Sequence, residues 1–317
     1  MALSKQKWLR IGGLQLGIAV DHRYASRVRR SLPYRYLVRP AINALKRRRS
    51  VGTLPRNGAT TSNGAQGLSI PLTPEAAEVQ DRIAGIDWYH VMDLPHGVVT
   101  PGRADHRRQV SHYGRPEDMT GMRALDVATF DGFWAFEMER RGAQVVAIDI
   151  GRWSQADIPS RWLEIMTPEQ DRVTGAGFRI AKELLGSKVE RCEMSVYDLD
   201  PDKVGTFDLV FMSDLLLHLR DPQLALDRLY GVTRKDGYAI VAEPYSPDLE
   251  GFGDRMLIQF AAYSQRIWAI PSSATIKTML DLAGFAPVHE LSRFRLEYDH
   301  PFPVRKVVLK AHPNKRD

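Results

Sequence analysis

Three carboxylates and a glycine stand at spacings that suit the binding of a nucleoside: Asp126, Asp131 with Gly132, and Asp149. Asp126 belongs to the short apolar run Ala124-Leu125-Asp126-Val127, and Asp131-Gly132 makes a tight turn after it. Residues 133–141 form an amphipathic stretch ended by Gly142, as a helix C-cap requires. A second apolar run, 144–148, then finishes in Asp149. Strand, turn, helix, strand and terminal acid within about 25 residues is half of a dinucleotide-binding βαβ unit. The acid at the second strand's tip is placed to accept hydrogen bonds from both hydroxyls of a ribose.

From Asp126 the turn reads D-x-A-x-x-D-G, with one glycine where a pyrophosphate binder wants three. A cofactor without a pyrophosphate needs less close backbone approach. S-adenosylmethionine (SAM) fits that description, and its sulfonium and amino groups suit a turn flanked by Asp126 and Asp131. The residues expected to hold it are Asp126, Ala128, Thr129, Asp131, Gly132, Asp149 and Ile150, with Tyr197, Asp198 and Ser213 from later strand ends. Asp198 is placed to meet the adenine amino group. Methyl transfer to a hydroxyl also needs a base. His218 and Glu243, at the ends of apolar runs, are the catalytic candidates, and His90 is a third; a structural role competes for each. The nine histidines show no ligand spacing with carboxylates, so no metal site is expected.

The elements that must position these groups alternate. Thr73-Pro74-Glu75 is an N-cap, a first-position proline and a first-turn acid, opening a helix over 75–86. A helix is expected over 176–185, a strand over 192–196, a strand over 207–212 and a helix over 223–232. The turn Lys235-Asp236-Gly237 and a strand over 238–243 follow. The chain closes with a helix over 274–283 and strands over 286–291 and 304–311. Long excursions at 151–175 and 244–272 leave the carboxyl ends of strands, where ligands bind in parallel sheets. No internal repeat is present.

Blocks of this sequence resemble class I SAM-dependent methyltransferases, and within them the branch that includes the tRNA wobble-uridine carboxymethyltransferase. The blocks are Asp87-Trp88-Tyr89-His90 with the Gly97–Gly102 segment, Leu125 to Trp134, Leu217-His218-Leu219-Arg220-Asp221-Pro222, Trp268 to Pro271, and His300 to Arg305. They span roughly residues 80–311. The resemblance implies an α/β, Rossmann-like sheet, mostly parallel with its last strand antiparallel. It also implies a substrate side and lid built from Trp88, Tyr89, His90, Trp268 and Arg305. In the tRNA enzyme, which uses a carboxylated SAM, a lysine stands two positions after the first tryptophan and a tyrosine precedes the histidine. Here those positions are His90 and Leu217, while Arg305 is retained. Two of three carboxylate contacts are changed, which makes plain SAM the expected donor. Ala128 stands where the family has glycine, leaving weakened catalysis open.

The chain has 317 residues and is 44% hydrophobic, enough for one large core. Of its 44 Lys/Arg and 38 Asp/Glu, 13 and 1 fall in residues 1–50, so the rest holds 31 against 37. The basic character belongs to an N-terminal arm and linker (1–72), and the catalytic domain to 73–317. Residues 8–20 are too short and too interrupted for a membrane span, and no signal-peptide cleavage site is expected. The Arg-rich segment 23–49 stays open between a solvated tail, an interfacial helix drawn to anionic lipid and an RNA-contacting arm. With a single Cys192, a cytoplasmic protein is expected, peripheral at the membrane if the arm binds lipid. The expected function is O-methylation of a hydroxyl on a sugar, glycolipid or secondary metabolite. The alternatives are a tRNA wobble-uridine modifying enzyme and a SAM-binding protein with weakened turnover. The expected partner is a small-molecule or glycan acceptor, ahead of nucleic acid.

Overall fold

The computed structural model describes residues 7–11, 14–18, 73–163, 171–262, 267–296 and 304–315. The chain divides into two units, Met1–Ser69 and Ile70–Asp317. In the first, strands β1 (Lys7–Ile11) and β2 (Leu14–Ile18) pair antiparallel, with Ile11 opposite Leu14. The residues between them are Gly12 and Gly13, a pair that suits a two-residue hairpin. The sequence reading assigned no strand there. The basic segment 23–49 and the linker 50–72 lie outside the described residues.

The second unit is built on β3 (Arg123–Val127), whose residues Ala124 to Val127 are all buried. A strand buried on both faces belongs in the middle of a sheet covered by helices on each side. β4 (Gln144–Asp149) and β6 (Phe207–Ser213) flank it in parallel. Outward from β4 lies β5 (Glu190–Glu193), and outward from β6 lies β7 (Thr233–Pro244). β11 (Val304–Pro313) joins β7 antiparallel, and β10 (Phe285–Leu296) pairs antiparallel with β11. The order across the sheet is β10-β11-β7-β6-β3-β4-β5. A mostly parallel sheet with an antiparallel last strand is the expected architecture.

Strand alternation sorts the core into two layers. Ala124, Ala147, Leu209, Phe211 and Ile240 pack with helices α1 (Pro74–Ile83), α2 (Phe133–Arg140) and α3 (Ala176–Leu185). Leu125, Val146, Ile148, Val210 and Val241 pack with α4 (Pro222–Val232) and α5 (Ser273–Leu282). The caps are those the sequence supplies. Thr73 Oγ1 accepts the Ala76 N–H at 3.2 Å, and Asp221 Oδ1 accepts the Leu224 N–H at 3.0 Å.

Some boundaries differ from expectation. α1 stops at Ile83, because Ala84 turns extended. β5 ends at Glu193, since Ser195 Oγ accepts the Tyr197 N–H and caps a single turn over Val196–Asp198. The Lys235-Asp236-Gly237 turn lies within β7, where Phe207 pairs with Thr233 but Leu209 with Tyr238. There a Cβ on Gly237 would meet the carbonyl oxygens of Asp208 at 2.8 Å and Phe207 at 2.9 Å, so only glycine fits. The excursion after β7 holds a small antiparallel pair, β8 (Ile258–Phe260) and β9 (Ala269–Pro271).

From β3 the chain builds outward to β5, then returns to β6 on the other side of β3. The switch between β3 and β6 opens a crevice at the carboxyl ends of the strands. Among the described residues no helix is long and apolar enough to cross a membrane.

Candidate active site

A cavity of about 870 Å³ lies at these strand ends, near the upper end for ligand pockets. Its floor is the turn after β3. Ala128 (φ 60°) and Phe130 (φ 51°) are left-handed, as is Gly132 (φ 92°); the first two are in a region costly for residues with a Cβ. Asp149 explains how the turn is held. Its Oδ2 accepts the Phe130 N–H at 2.7 Å and its Oδ1 the Ile150 N–H at 2.8 Å. Each oxygen keeps a further lone pair, and Asp149 lines the cavity. Burial raises its pKa. Asp126 also lines the cavity, only 1% exposed, and its Oδ2 has no hydrogen-bond partner among the described residues. Burial pushes its pKa up to about 7. A buried acceptor without a donor is costly, and a bound ligand carrying donors would satisfy it.

The far wall is formed by Ile150, Met194, Val196 and Tyr197. Tyr197 Oη donates to Asp157 Oδ2 at 2.7 Å and accepts the Asp221 N–H at 3.1 Å. Asp157 also accepts the Arg220 N–H at 2.5 Å, and its carbonyl accepts Trp268 Nε1–H at 2.7 Å. Arg220 lies over the Trp268 ring, 4.9 Å from its centroid. Trp268 thus fixes the rim from behind and is not among the lining residues.

The lid stretch is pinned to the turn by Asp131. Its Oδ2 accepts the backbone N–H groups of Tyr89 and His90, both at 2.9 Å, and its Oδ1 bonds His90 Nδ1. Asp131 therefore faces the lid, and Tyr89 and His90 line the cavity. The His90 ring stacks on Phe133 at 5.4 Å. Gly102 lets the lid fold back on itself, since a Cβ there would fall 2.1 Å from the His90 carbonyl. Trp88 is 2% exposed and donates Nε1–H to the Ile83 carbonyl at 3.2 Å, so it packs in the core.

Ser213 and His218 line the cavity from the end of β6. Glu243 does not reach it. It is 1% exposed, accepts the Leu215 N–H at 2.9 Å and the Leu216 N–H at 3.2 Å, and so holds the single turn Leu216–His218 from behind. Burial, with Asp214 nearby, pushes its pKa up to about 8. Thr129, Gly132 and Asp198 stand beside the lining without joining it. Gly132 instead lets α2 start against Phe136 and Phe178, whose rings lie 2.4–2.8 Å from the position of a Cβ. Arg305 is exposed on β11, opposite Arg295. The neighbouring Lys306, which sequence reasoning missed, turns inward on β11 and is fully buried. Alternation along Val304, Lys306 and Val308 was the signal available for it.

Residues 104–290 match the family described as a methyltransferase domain. The chain belongs to that family. The chain is 29% identical over 175 residues to the tRNA U34 carboxymethyltransferase of Pseudomonas paraeruginosa, covering 53% of this chain and 46% of that one. It is 30% identical over 127 residues to the magnesium-protoporphyrin O-methyltransferase of Rhodobacter capsulatus, covering 40% and 46%. The matches span about half the length of these relatives. Among solved structures, the N-terminal domain of EvdMO1, crystallised with SAH and D-fucose, shares the fold. Its TM-score is 0.52 at 15% identity, over 76% of this chain and 98% of that one. The chain has the class I methyltransferase fold, and the unsatisfied Asp126 Oδ2 and the open lone pairs of Asp149 fit SAM as its cofactor.

Proposed function

We propose that the protein is a SAM-dependent methyltransferase that methylates a hydroxyl of a small-molecule or glycan acceptor. The observation that carries this reading is His90, which lines the cavity that also presents Asp126 and Asp149 and is bonded to Asp131 behind it. SAM, when bound, supplies a methyl group already activated by its sulfonium. Asp149 would hold the ribose hydroxyls, Asp126 would take a donor group of the cofactor, and Ile150 and Tyr197 would flank the base. Removing the acceptor's proton falls to this chain. Asp131 holds the proton of His90 on Nδ1, which leaves Nε2 to accept the hydroxyl proton; the acceptor oxygen would then take the methyl carbon as its bond to sulfur breaks and SAH leaves as a neutral thioether. The carboxylate then stabilises the imidazolium, as in other carboxylate–histidine pairs. His218, on the turn held by Glu243, is placed to orient the acceptor. Closure of Tyr89 and His90 over the turn excludes water.

The 29% identity to a tRNA carboxymethyltransferase favours a second reading, modification of a tRNA uridine. Against it stand His90 and Leu217 at two positions where that family binds the donor's carboxylate, and an Arg305 exposed on β11. The basic arm would add an attraction to anionic membrane, which liposome flotation can test. Labelled SAM incubated with the protein and with lipid, glycan, RNA and small-molecule fractions decides between the acceptors. Label in a base-stable ether of the glycan, lipid or small-molecule fraction supports the proposal; label in tRNA alone defeats it.

A further inference from the structure

The hydroxyl-acceptor reading leaves the buried charge of Lys306 without a task. Lys306 lies in the sheet on β11, 0% exposed. Its ammonium donates to Asp214 Oδ2 at 2.5 Å, to Ser213 Oγ at 2.7 Å and to Tyr113 Oη at 3.2 Å. Ser213 Oγ in turn donates to Asp214 Oδ2 at 2.9 Å. One carboxylate oxygen of Asp214 is thus saturated from inside the protein. No group among the described residues is bonded to the other, Oδ1, and Asp214 lines the cavity.

Asp214 is also strained. It follows β6 directly with φ 59°, a region where residues other than glycine are uncommon. A buried ammonium is costly unless paired, and a left-handed aspartate persists only where its surroundings impose it. Both costs fall on the same contact, at a residue that lines the ligand space and has one carboxylate oxygen without a partner among the described residues. Burial works against the charge of Lys306, but Asp214 and Tyr113 outweigh it and hold the amine above the ordinary lysine range.

We infer that Asp214, aimed by Lys306, is the anchor for a hydroxyl of a polyhydroxylated acceptor. The inference rests on the hydroxyl-acceptor reading. Lys306 decides which kind of donor Asp214 can take. With an ammonium already at 2.5 Å, a second cation such as the amino group of SAM would meet like-charge repulsion, whereas a neutral hydroxyl would not. The surrounding lining of Pro244, Leu296 and Val304 offers apolar contact to the C–H face of a sugar ring. Asp126, whose unpartnered oxygen has no lysine bonded to it, is the better place for a cationic donor. Lys306 is a positioning residue here and Asp214 the specificity-determining one.

The test uses the full-length protein saturated with SAH and titrated calorimetrically with a panel of simple methyl glycosides. At least one glycoside should bind the wild type. Asp214→Asn should weaken it tenfold or more, and Lys306→Met should do the same. Asp214→Gly relieves the left-handed backbone but leaves the Lys306 ammonium buried without its carboxylate, so alone it should melt below the wild type; combined with Lys306→Met it should stay folded and still lose the glycoside. SAH affinity should stay within about threefold in each folded variant. Glycoside binding unchanged in the combined variant overturns the inference alone. A tenfold loss of SAH affinity in the same folded variant also overturns it, by assigning Asp214 to the cofactor. No glycoside bound by the wild type, with no label transferred to any hydroxyl compound, overturns the hydroxyl-acceptor reading and this inference with it.

Discussion

His90 and Asp131 are bonded inside the fold, Nδ1 to Oδ1, with 5% of the histidine and 2% of the aspartate exposed. The two are 41 residues apart in sequence, and their contact joins the lid to the cofactor turn. If the pair acts as the base, His90→Ala should lower kcat by about 10²–10⁴ with SAM affinity unchanged. Asp131→Asn should act in the same direction by releasing the tautomer. Single-turnover rates beside calorimetric SAM affinities check this. A His90→Ala enzyme at full rate would transfer the role to another group, His218 first.

Much of this site was readable in the sequence. The βαβ core is legible because strands buried on both faces are continuous apolar runs, and Asp149 ends one of them. Asp131 was legible as a turn residue but not in direction, since an acid before glycine can face either the cofactor or the lid. Its partner at position 90 is fixed only by tertiary packing. Glu243 shows the reverse error: its type suits a base, while the sheet buries it behind the turn that bears His218. Lys306 was overlooked because a lysine in sequence reads as solvent-facing, and only its register on β11 turns it inward.

Glu243 gives a pH dependence of stability with a definite sign. Its folded pKa of about 8 lies above the ordinary glutamate value of 4.5, so between the two the folded state binds more protons than the unfolded. Its contribution is present below the unfolded pKa and is lost as pH rises through the folded one. Stability should therefore fall from pH 5 to pH 9, by on the order of 2–4 kcal/mol from this group. Asp126 adds to the fall in the same sense. Denaturant titrations across that range should show a smaller decline in Glu243→Gln. An equal decline would remove Glu243 as its source.

Ala128 occupies the left-handed region at φ 60°, a conformation that glycine adopts without a Cβ clash. Ala128→Gly should raise stability by about 1 kcal/mol by relieving that strain. SAM affinity should not fall. A destabilised Ala128→Gly protein would show that the methyl group makes packing contacts worth more than the strain.

The donor should be ordinary SAM. His90 is bonded to Asp131, Leu217 offers no hydroxyl, and Arg305 is exposed away from the lining, so the pieces that would hold a donor's extra carboxylate are not assembled. Competition between SAM and its carboxylated form should favour SAM. A preference for the carboxylated donor of tenfold or more, about 1.4 kcal/mol, would return the tRNA-modifying reading to first place.

Asp149 as the ribose acceptor of a SAM site is tested most directly by calorimetry on Asp149→Ala. The variant loses a charged hydrogen-bond partner, so SAM binding should weaken by about 2–4 kcal/mol, roughly 30- to 900-fold. Because Asp149 also holds the Phe130 and Ile150 N–H groups, a melting curve must accompany the titration to show that the protein is folded. A folded Asp149→Ala protein that binds SAM within about threefold of the wild type would contradict the assignment.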